Sequence, residues 1–167
     1  MASQRGRLLD AIAHVVAEKG YGATTVAGVI ERAGVSRKTF YEHFRDKETC
    51  FLAAYDAGVE ILIATMRDAG GDVRAQVRAY LNTLAAEPAF ATTFLTEVLA
   101  AGPQALERRD AVLDAFASLS PSTRPHAALA AVGAANEITV RYVRAGRTAD
   151  LPELEDAIVD VYERLLG

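Results

Sequence analysis

"AGVSRKTFYEHFRDKE", residues 33–48, holds Arg37, Lys38, Tyr41, His43 and Lys47 within eleven positions of a chain whose formal net charge is -4. Gly34 suits the left-handed position that closes a helix. Ser36, two residues later, can cap a new one. Two short helices joined by a tight glycine turn form the helix-turn-helix pattern. Stepping about 100° per residue after Ser36 puts Phe40 and Phe44 on one side and Lys38 and Glu42 opposite. Thr39 and Tyr41 flank the outer face, and Arg37 lies in the first turn nearer the phenylalanine edge.

The phenylalanines can anchor this helix to a small core while the outer face enters a DNA major groove, N-terminal end foremost. Arg37 and Lys38 can reach guanine O6/N7 or a phosphate, and Thr39 a base edge or a thymine methyl. Tyr41 and His43 suit phosphate oxygens. Lys47 and the free amides beside it suit another phosphate. Glu42 can pair with Lys38 at i+4 or accept from a cytosine amino group. The same pattern also describes a solvated helix face above two core aromatics, so periodicity alone leaves both readings open.

Working outward, nearly every segment reads as helix. Leu8, Leu9, Ile12, Val15 and Val16 form one apolar stripe that Gly20 ends. Thr24 or Thr25 can cap the next helix, where Val26, Val29, Ile30 and Ala33 repeat at helical spacing. Asp46 can cap a long fourth helix carrying Phe51, Leu52, Tyr55, Val59, Leu62, Ile63 and Met66, which Gly70 and Gly71 stop. Asp72 opens a fifth with Val73, Val77, Tyr80, Leu81 and Leu84. Pro88 suits the first turn of a sixth helix, with a stripe of Phe90, Phe94, Leu95 and Val98. Gly102-Pro103 divides it from a seventh with Leu106, Leu113 and Phe116. "SPSTRP", 120–125, reads as a loop before an alanine-rich eighth helix ending at Gly146. A ninth is expected to start at Asp150, whose spacing to Glu153 resembles a capping box. With no period-2 strand, the expected fold is all-α with about nine helices. A helix-turn-helix head over 1–47 precedes a helical body over 48–167.

Hydrophobic residues make up 51 % of the 167, enough for a substantial core, and the 24 % charged residues are ordinary for a soluble domain. Cys50 is the only cysteine, which excludes an internal disulfide and a cysteine-pair metal site. No uninterrupted apolar run approaches the roughly 20 residues that span a bilayer, and the N-terminus lacks a signal peptide's cleavage pattern. A cytoplasmic protein without membrane contact is expected. Charge is uneven. Residues 1–50 hold eight Lys/Arg against six Asp/Glu, and residues 51–167 hold ten against sixteen. A basic head on an acidic body suits a polyanion met by the head alone. His14, His43 and His126 are far apart, and no HExxH, glycine-rich phosphate loop or nucleophile elbow occurs. Neither an enzyme nor a bound cofactor or metal is expected.

The stretch "TTVAGVIERAGVSRKTFYEHFRDKE", 24–48, resembles the DNA-binding segment of the TetR-type transcriptional regulators. The resemblance runs through Thr25, Val26, the "AGVS" turn, the aromatic at 40, "Y-x-H-F" at 41–44 and the Lys47-Glu48 pair. With the first helix it covers about 50 residues. It implies that Thr25, Tyr41, His43 and Lys47 hold the phosphate backbone. It implies that Ser36, Arg37, Lys38 and Thr39 open the recognition helix, the last three nearest the bases. A small residue is common in the family where Lys38 stands, which leaves base preference open. The implied function is a ligand-responsive regulator, most often a repressor, binding a palindromic operator of double-stranded DNA as a homodimer.

The body diverges more. Leu151, Leu154, Ile158, Val161 and Leu165 follow the spacing of a helix-packing seam. Leu129, Val132, Asn136, Val140 and Val143 run along the eighth helix. The family commonly dimerises through its last two long helices, and these two suit that role or an ordinary intrachain core. Tyr55, Met66, Tyr80, Phe90, Phe94, Phe116 and Tyr142 could wall a pocket for an apolar or amphipathic effector. Asn136, Glu137 and His126 could be its polar contacts. The same aromatics could simply be core. A helical protein-interaction module that has lost DNA binding is the rival reading.

Overall fold

A computed structural model describes residues 3–120 and 124–167 and bears out the all-α expectation, with nine α-helices, two 3-10 turns and no strand among those residues. The first five helices each begin at a side-chain cap, where a short polar oxygen satisfies an amide that the helix cannot. Ser3 opens α1 (Gln4–Lys19), Thr25 opens α2 (Val26–Ala33) and Ser36 opens α3 (Arg37–His43). Asp46 opens α4 (Lys47–Asp68) in a capping box with Thr49, and Asp72 opens α5 (Val73–Ala86). Proline takes over afterwards, in the first turn of α6 (Pro88–Leu95), α7 (Pro103–Ala117) and α8 (Pro125–Arg144). The last helix, α9, spans Glu155–Leu166.

Four details depart from the sequence reading. The recognition helix stops at His43, and Phe44 is extended (φ -139, ψ 135), although its ring is still buried. The sixth helix ends at Leu95, and Val98 is buried from a 3-10 turn, Glu97–Ala100. Leu106 points outward instead of into the core. The ninth helix starts at Glu155, not Asp150, because Thr148–Leu154 winds as a 3-10 turn around Pro152. Asp150 does not cap; its carboxylate takes Arg147 Nε at 2.8 Å, and Glu153 lies 3.5 Å from the same guanidinium. Residues 121–123 of the expected "SPSTRP" loop lie outside the described residues.

One apolar core runs from head to body without a break. Leu8, Ile12 and Val16 of α1 pack with Val29 and Phe40 in the head, and α1 also packs against α4 and α6. Phe51, Tyr55, Leu62, Leu81, Leu84, Leu151 and Ile158 carry the core onward. Fully burying one such side chain contributes about 1.5–3 kcal/mol. Among the described residues, α4 alone is long and apolar enough to cross a bilayer, and 39 % of its most apolar window is buried here. Its Phe51, Leu52, Tyr55, Val59, Leu62 and Met66 are all inside the protein, which is how a central core helix comes to pass that test. Gly58 lets α4 meet α6 closely, since a Cβ there would overlap the Phe90 ring.

Candidate nucleic-acid interface

The turn between α2 and α3 is made by Gly34 in the left-handed region (φ 61, ψ 42), which L side chains adopt reluctantly. The Gly34 amide donates to Glu31 O at 3.3 Å and the Val35 amide to Ile30 O at 3.3 Å, so the end of α2 is closed. Ser36 Oγ then accepts from Thr39 N at 3.0 Å and lies 2.9 Å from Thr39 Oγ1. Phe40 is fully buried, and its ring meets Tyr41 edge-on at 5.3 Å. The clamp fixes which side of α3 faces out. Arg37, Lys38, Tyr41, Glu42 and His43 are exposed, Tyr41 at 51 %, and Thr39 is half-buried.

Lys38 Nζ lies 3.8 Å from Glu42 Oε1, with 87 % of the Lys38 side chain exposed. That distance marks a loose surface pair of small energetic weight, so Lys38 keeps its charge available. Arg37 has no carboxylate partner among the described residues. The Thr25 hydroxyl accepts from Gly28 N at 3.1 Å and, as a hydroxyl, still has a proton to donate.

Lys47 is placed differently from a bare surface cation. Its Nζ donates to Tyr21 O at 2.8 Å and stands 4.2 Å above the centre of the Tyr21 ring. An ammonium has three donors, so contact with a phosphate requires the remaining ones. Beside it, Asp46 is held below the usual carboxylate range, first by the Thr49 amide and then by Arg45. Burial, followed by the charges of Glu48 and Asp46, raises the Tyr21 phenol.

Tyr21 also joins the head to the body, which sequence reasoning missed. Its amide donates to Glu97 Oε2 at 2.7 Å across 76 positions of chain, and its ring meets Phe51 edge-on at 4.9 Å. The fully buried Thr93 hydroxyl makes a second bridge, donating to Ala13 O at 3.1 Å. Glu97 and Thr93 carry no local signal of these roles, because their partners come from the far end of the chain.

The residues expected to wall an effector pocket are split. Met66, Tyr80, Phe116 and Asn136 line a cavity of about 30 Å³ with Val77, Leu113, Val132, Ala135, Ile158 and Tyr162. Tyr55, Phe94 and Phe90 form a stack beside it, with centroids 5.6 Å and 5.4 Å apart, and Phe94 meets Phe116 at 6.3 Å. The Tyr55 hydroxyl is buried without a hydrogen-bond partner, and burial raises its pKa. Tyr142 lies elsewhere, under the Arg147 guanidinium at 4.3 Å. Glu137 pairs with Arg141 on the surface at 2.8 Å, and His126 lines an open cleft with Asp114, Ser118 and Leu129. Among the described residues no three His, Cys, Asp or Glu side chains gather as metal ligands.

Residues 8–54 match the family described as "Bacterial regulatory proteins, tetR family". The chain is 36 % identical over 66 residues to the HTH-type transcriptional activator FasR of Mycolicibacterium smegmatis, covering 40 % of this chain and 30 % of that protein. It is also 36 % identical over 66 residues to the HTH-type transcriptional repressor KstR2 of Mycobacterium tuberculosis, covering 40 % of this chain and 33 % of that one. The match therefore spans about a third of these curated relatives. Whole-chain likeness comes from solved structures. The fatty acid degradation regulator FadR of Bacillus halodurans superposes with a TM-score of 0.80 at 21 % identity, covering 100 % of this chain and 96 % of that one. FadR of Bacillus subtilis, solved with stearoyl-CoA, gives 0.79 at 18 % identity, covering 96 % and 97 %. At such identities the likeness is one of fold.

Proposed function

We propose, from the match of residues 8–54 to the bacterial regulatory proteins of the tetR family, that the chain is a DNA-binding transcriptional regulator of that kind. The observation that carries the reading is the clamped recognition helix. Phe40 and Phe44 are buried while Arg37, Lys38, Tyr41 and His43 are exposed to solvent. In this reading Arg37, Lys38 and Thr39 meet bases, while Thr25, Ser36, Tyr41, His43 and Lys47 hold phosphates. A cytoplasmic location follows from the DNA role.

One seven-residue recognition helix covers few base pairs, so a homodimer on a palindrome completes the site, with half-sites about 34 Å apart. Much of the expected seam is already spent inside the chain, since Val132, Val140, Val143, Leu151, Leu154 and Ile158 are buried. What is left for a second copy is the outer face of α8 and α9. Leu129 and Leu165 are exposed there, and the space beside Gly133 is open.

The effector is an apolar or amphipathic small molecule held among α4, α5, α7, α8 and α9. A cavity of about 30 Å³ has room for roughly one water, so a ligand must part its walls. That requirement favours a mechanism: wall movement tilts α4 and shifts the Thr93 and Glu97 bridges to the head, so ligand and operator prefer different arrangements. The stearoyl-CoA of the Bacillus subtilis neighbour makes long acyl chains the first class to screen. Repression by occupancy of the operator, relieved by the effector, is the action inferred.

Selection of duplexes from a random library tests the reading directly. Enrichment of a palindrome bound more weakly as salt rises supports it. Recovery of no sequence, with binding insensitive to salt, leaves the protein-interaction alternative.

A further inference from the structure

We propose that the nucleic-acid surface extends beyond the helix-turn-helix onto the first turns of α1, where Arg5 and Arg7 bind backbone phosphates on either flank of the recognition helix. The proposal rests on the DNA-binding reading of the head.

Three observations carry it. First, position. Arg7 Nη1 lies 3.9 Å from where a Cβ of Gly34 would stand, so this guanidinium borders the turn that leads into α3. Arg5 Cζ lies 5.6 Å from the Phe44 ring centre, at the other end of the same helix. Seven helical residues separate those ends, about 10 Å at 1.5 Å per residue. Two cations thus stand near the two ends of the recognition helix.

Second, pairing. Both arginines are exposed, and neither has a carboxylate partner among the described residues. Arg32 and Arg45, nearby in the head, have found Glu18 at 2.6 Å and Asp46 at 2.9 Å.

Third, local cost. The amide end of a helix carries partial positive charge and favours acidic residues. The first turn of α1 has none and places Arg5 there instead. The Phe44 ring under the Arg5 guanidinium offsets part of this repulsion, but no carboxylate does among the described residues. A polyanion supplies the missing charge. Phosphate is the group that fits, because an exposed guanidinium at the rim has no groove of its own in which to read bases.

The test uses the full-length chain and the duplex enriched by the wild type, with a scrambled duplex as control, titrated from about 50 to 300 mM salt. Each phosphate contact contributes about 0.9 to the slope of log affinity against log salt. The Arg5→Gln/Arg7→Gln variant should lower that slope by about 2 and weaken both duplexes by the same factor, about tenfold or more at low salt. The selected sequence and the melting temperature should stay as in the wild type. Arg5→Lys/Arg7→Lys should keep the slope. An unchanged slope in the glutamine variant, with Arg37→Ala still altering selection, overturns this inference and leaves the DNA reading standing. A changed selected sequence overturns the backbone role by making these residues base readers. Salt-insensitive wild-type binding overturns the inference and its premise together.

Discussion

The head and the body of this protein differ in how many of their arginines they pair: in the head Arg32 and Arg45 find carboxylates, and in the body most do. In the body, Arg74, Arg78, Arg108, Arg109, Arg141, Arg147 and Arg164 each reach a carboxylate, while Arg67 and Arg144 reach none among the described residues. In the head, Arg5, Arg7 and Arg37 reach none among the described residues, and Lys38 holds Glu42 only loosely. Surface pairs add little stability, about 0–1 kcal/mol, so pairing matters here for the field and not for the fold. The body cancels most of its guanidinium charge at short range. The head leaves its charge projecting beside the recognition helix, where an anion of the right spacing can collect it.

The contrast is broken most severely at its anchor. Phe40 is fully buried and turns the cationic face outward. Phe40→Ala should cost about 3–5 kcal/mol of stability, read by urea unfolding, and abolish duplex binding. If binding survived at wild-type affinity, the outward face would not depend on the clamp, and the assignment of α3 would fail.

The body holds a different kind of unpaired group. Tyr55 buries a hydroxyl with no partner, which penalises the folded state without a ligand. Tyr55→Phe should therefore raise stability by about 1–3 kcal/mol, seen as a higher melting temperature. A fall instead would mean that the hydroxyl is satisfied in solution.

Sharpening the contrast within the head needs paired variants. Arg37→Ala should change which sequence is selected and cost about 1–3 kcal/mol on the preferred duplex. Tyr41→Ala should weaken all duplexes alike and reduce the salt slope by less, because a phenol carries no charge to exchange for counterions. Lys47→Ala should do two things at once, since Nζ also holds Tyr21 O at 2.8 Å. It should lower affinity for every duplex and weaken the joint between α1 and α4, seen as faster hydrogen exchange in the α1–α2 turn. Identical selection and affinity in all three variants would remove the base and phosphate roles.

The two regions also differ in how much of them the sequence discloses. Ser3, Thr25, Ser36, Asp46 and Asp72 announce the first five helices, because a cap is a local chemical requirement visible in the chain itself. Where caps run out, reading falters. The α9 start was expected at Asp150, which spends its carboxylate on Arg147, and the helix begins five residues later. The cationic face of α3 was legible from Phe40 and its neighbours. The Tyr21–Glu97 contact was not, since 76 residues separate its partners and neither has a local reason to pair. The pocket aromatics divided for a related reason. Helical spacing says that Tyr55, Phe94 and Tyr80 point inward, but only packing decides which of them touch one another and which face a cavity.

The smallest effect expected tests the body's side of the comparison. Arg74 and Arg78 of α5 converge on Glu155 at the start of α9, at 2.9 Å and 2.8 Å, and Arg74 also reaches Asp156 at 2.6 Å. Hydrogen bonds from Arg78 and then Arg74 pull the Glu155 carboxyl from 4.5 down to about 2. A carboxylate bound more weakly by protons in the folded state stabilises the fold above its unfolded pKa. That contribution is present above about pH 4.5 and fades as pH falls toward 2. The arginines stay charged throughout, so only the carboxylate titrates. Glu155→Gln should thus unfold at slightly lower urea than wild type near pH 7, and the difference should close on acidification. A difference that stayed constant between about pH 7 and pH 2.5 would mean that the charge on Glu155 contributes nothing. The cancellation of charge in the body would then be incidental to how α9 is held.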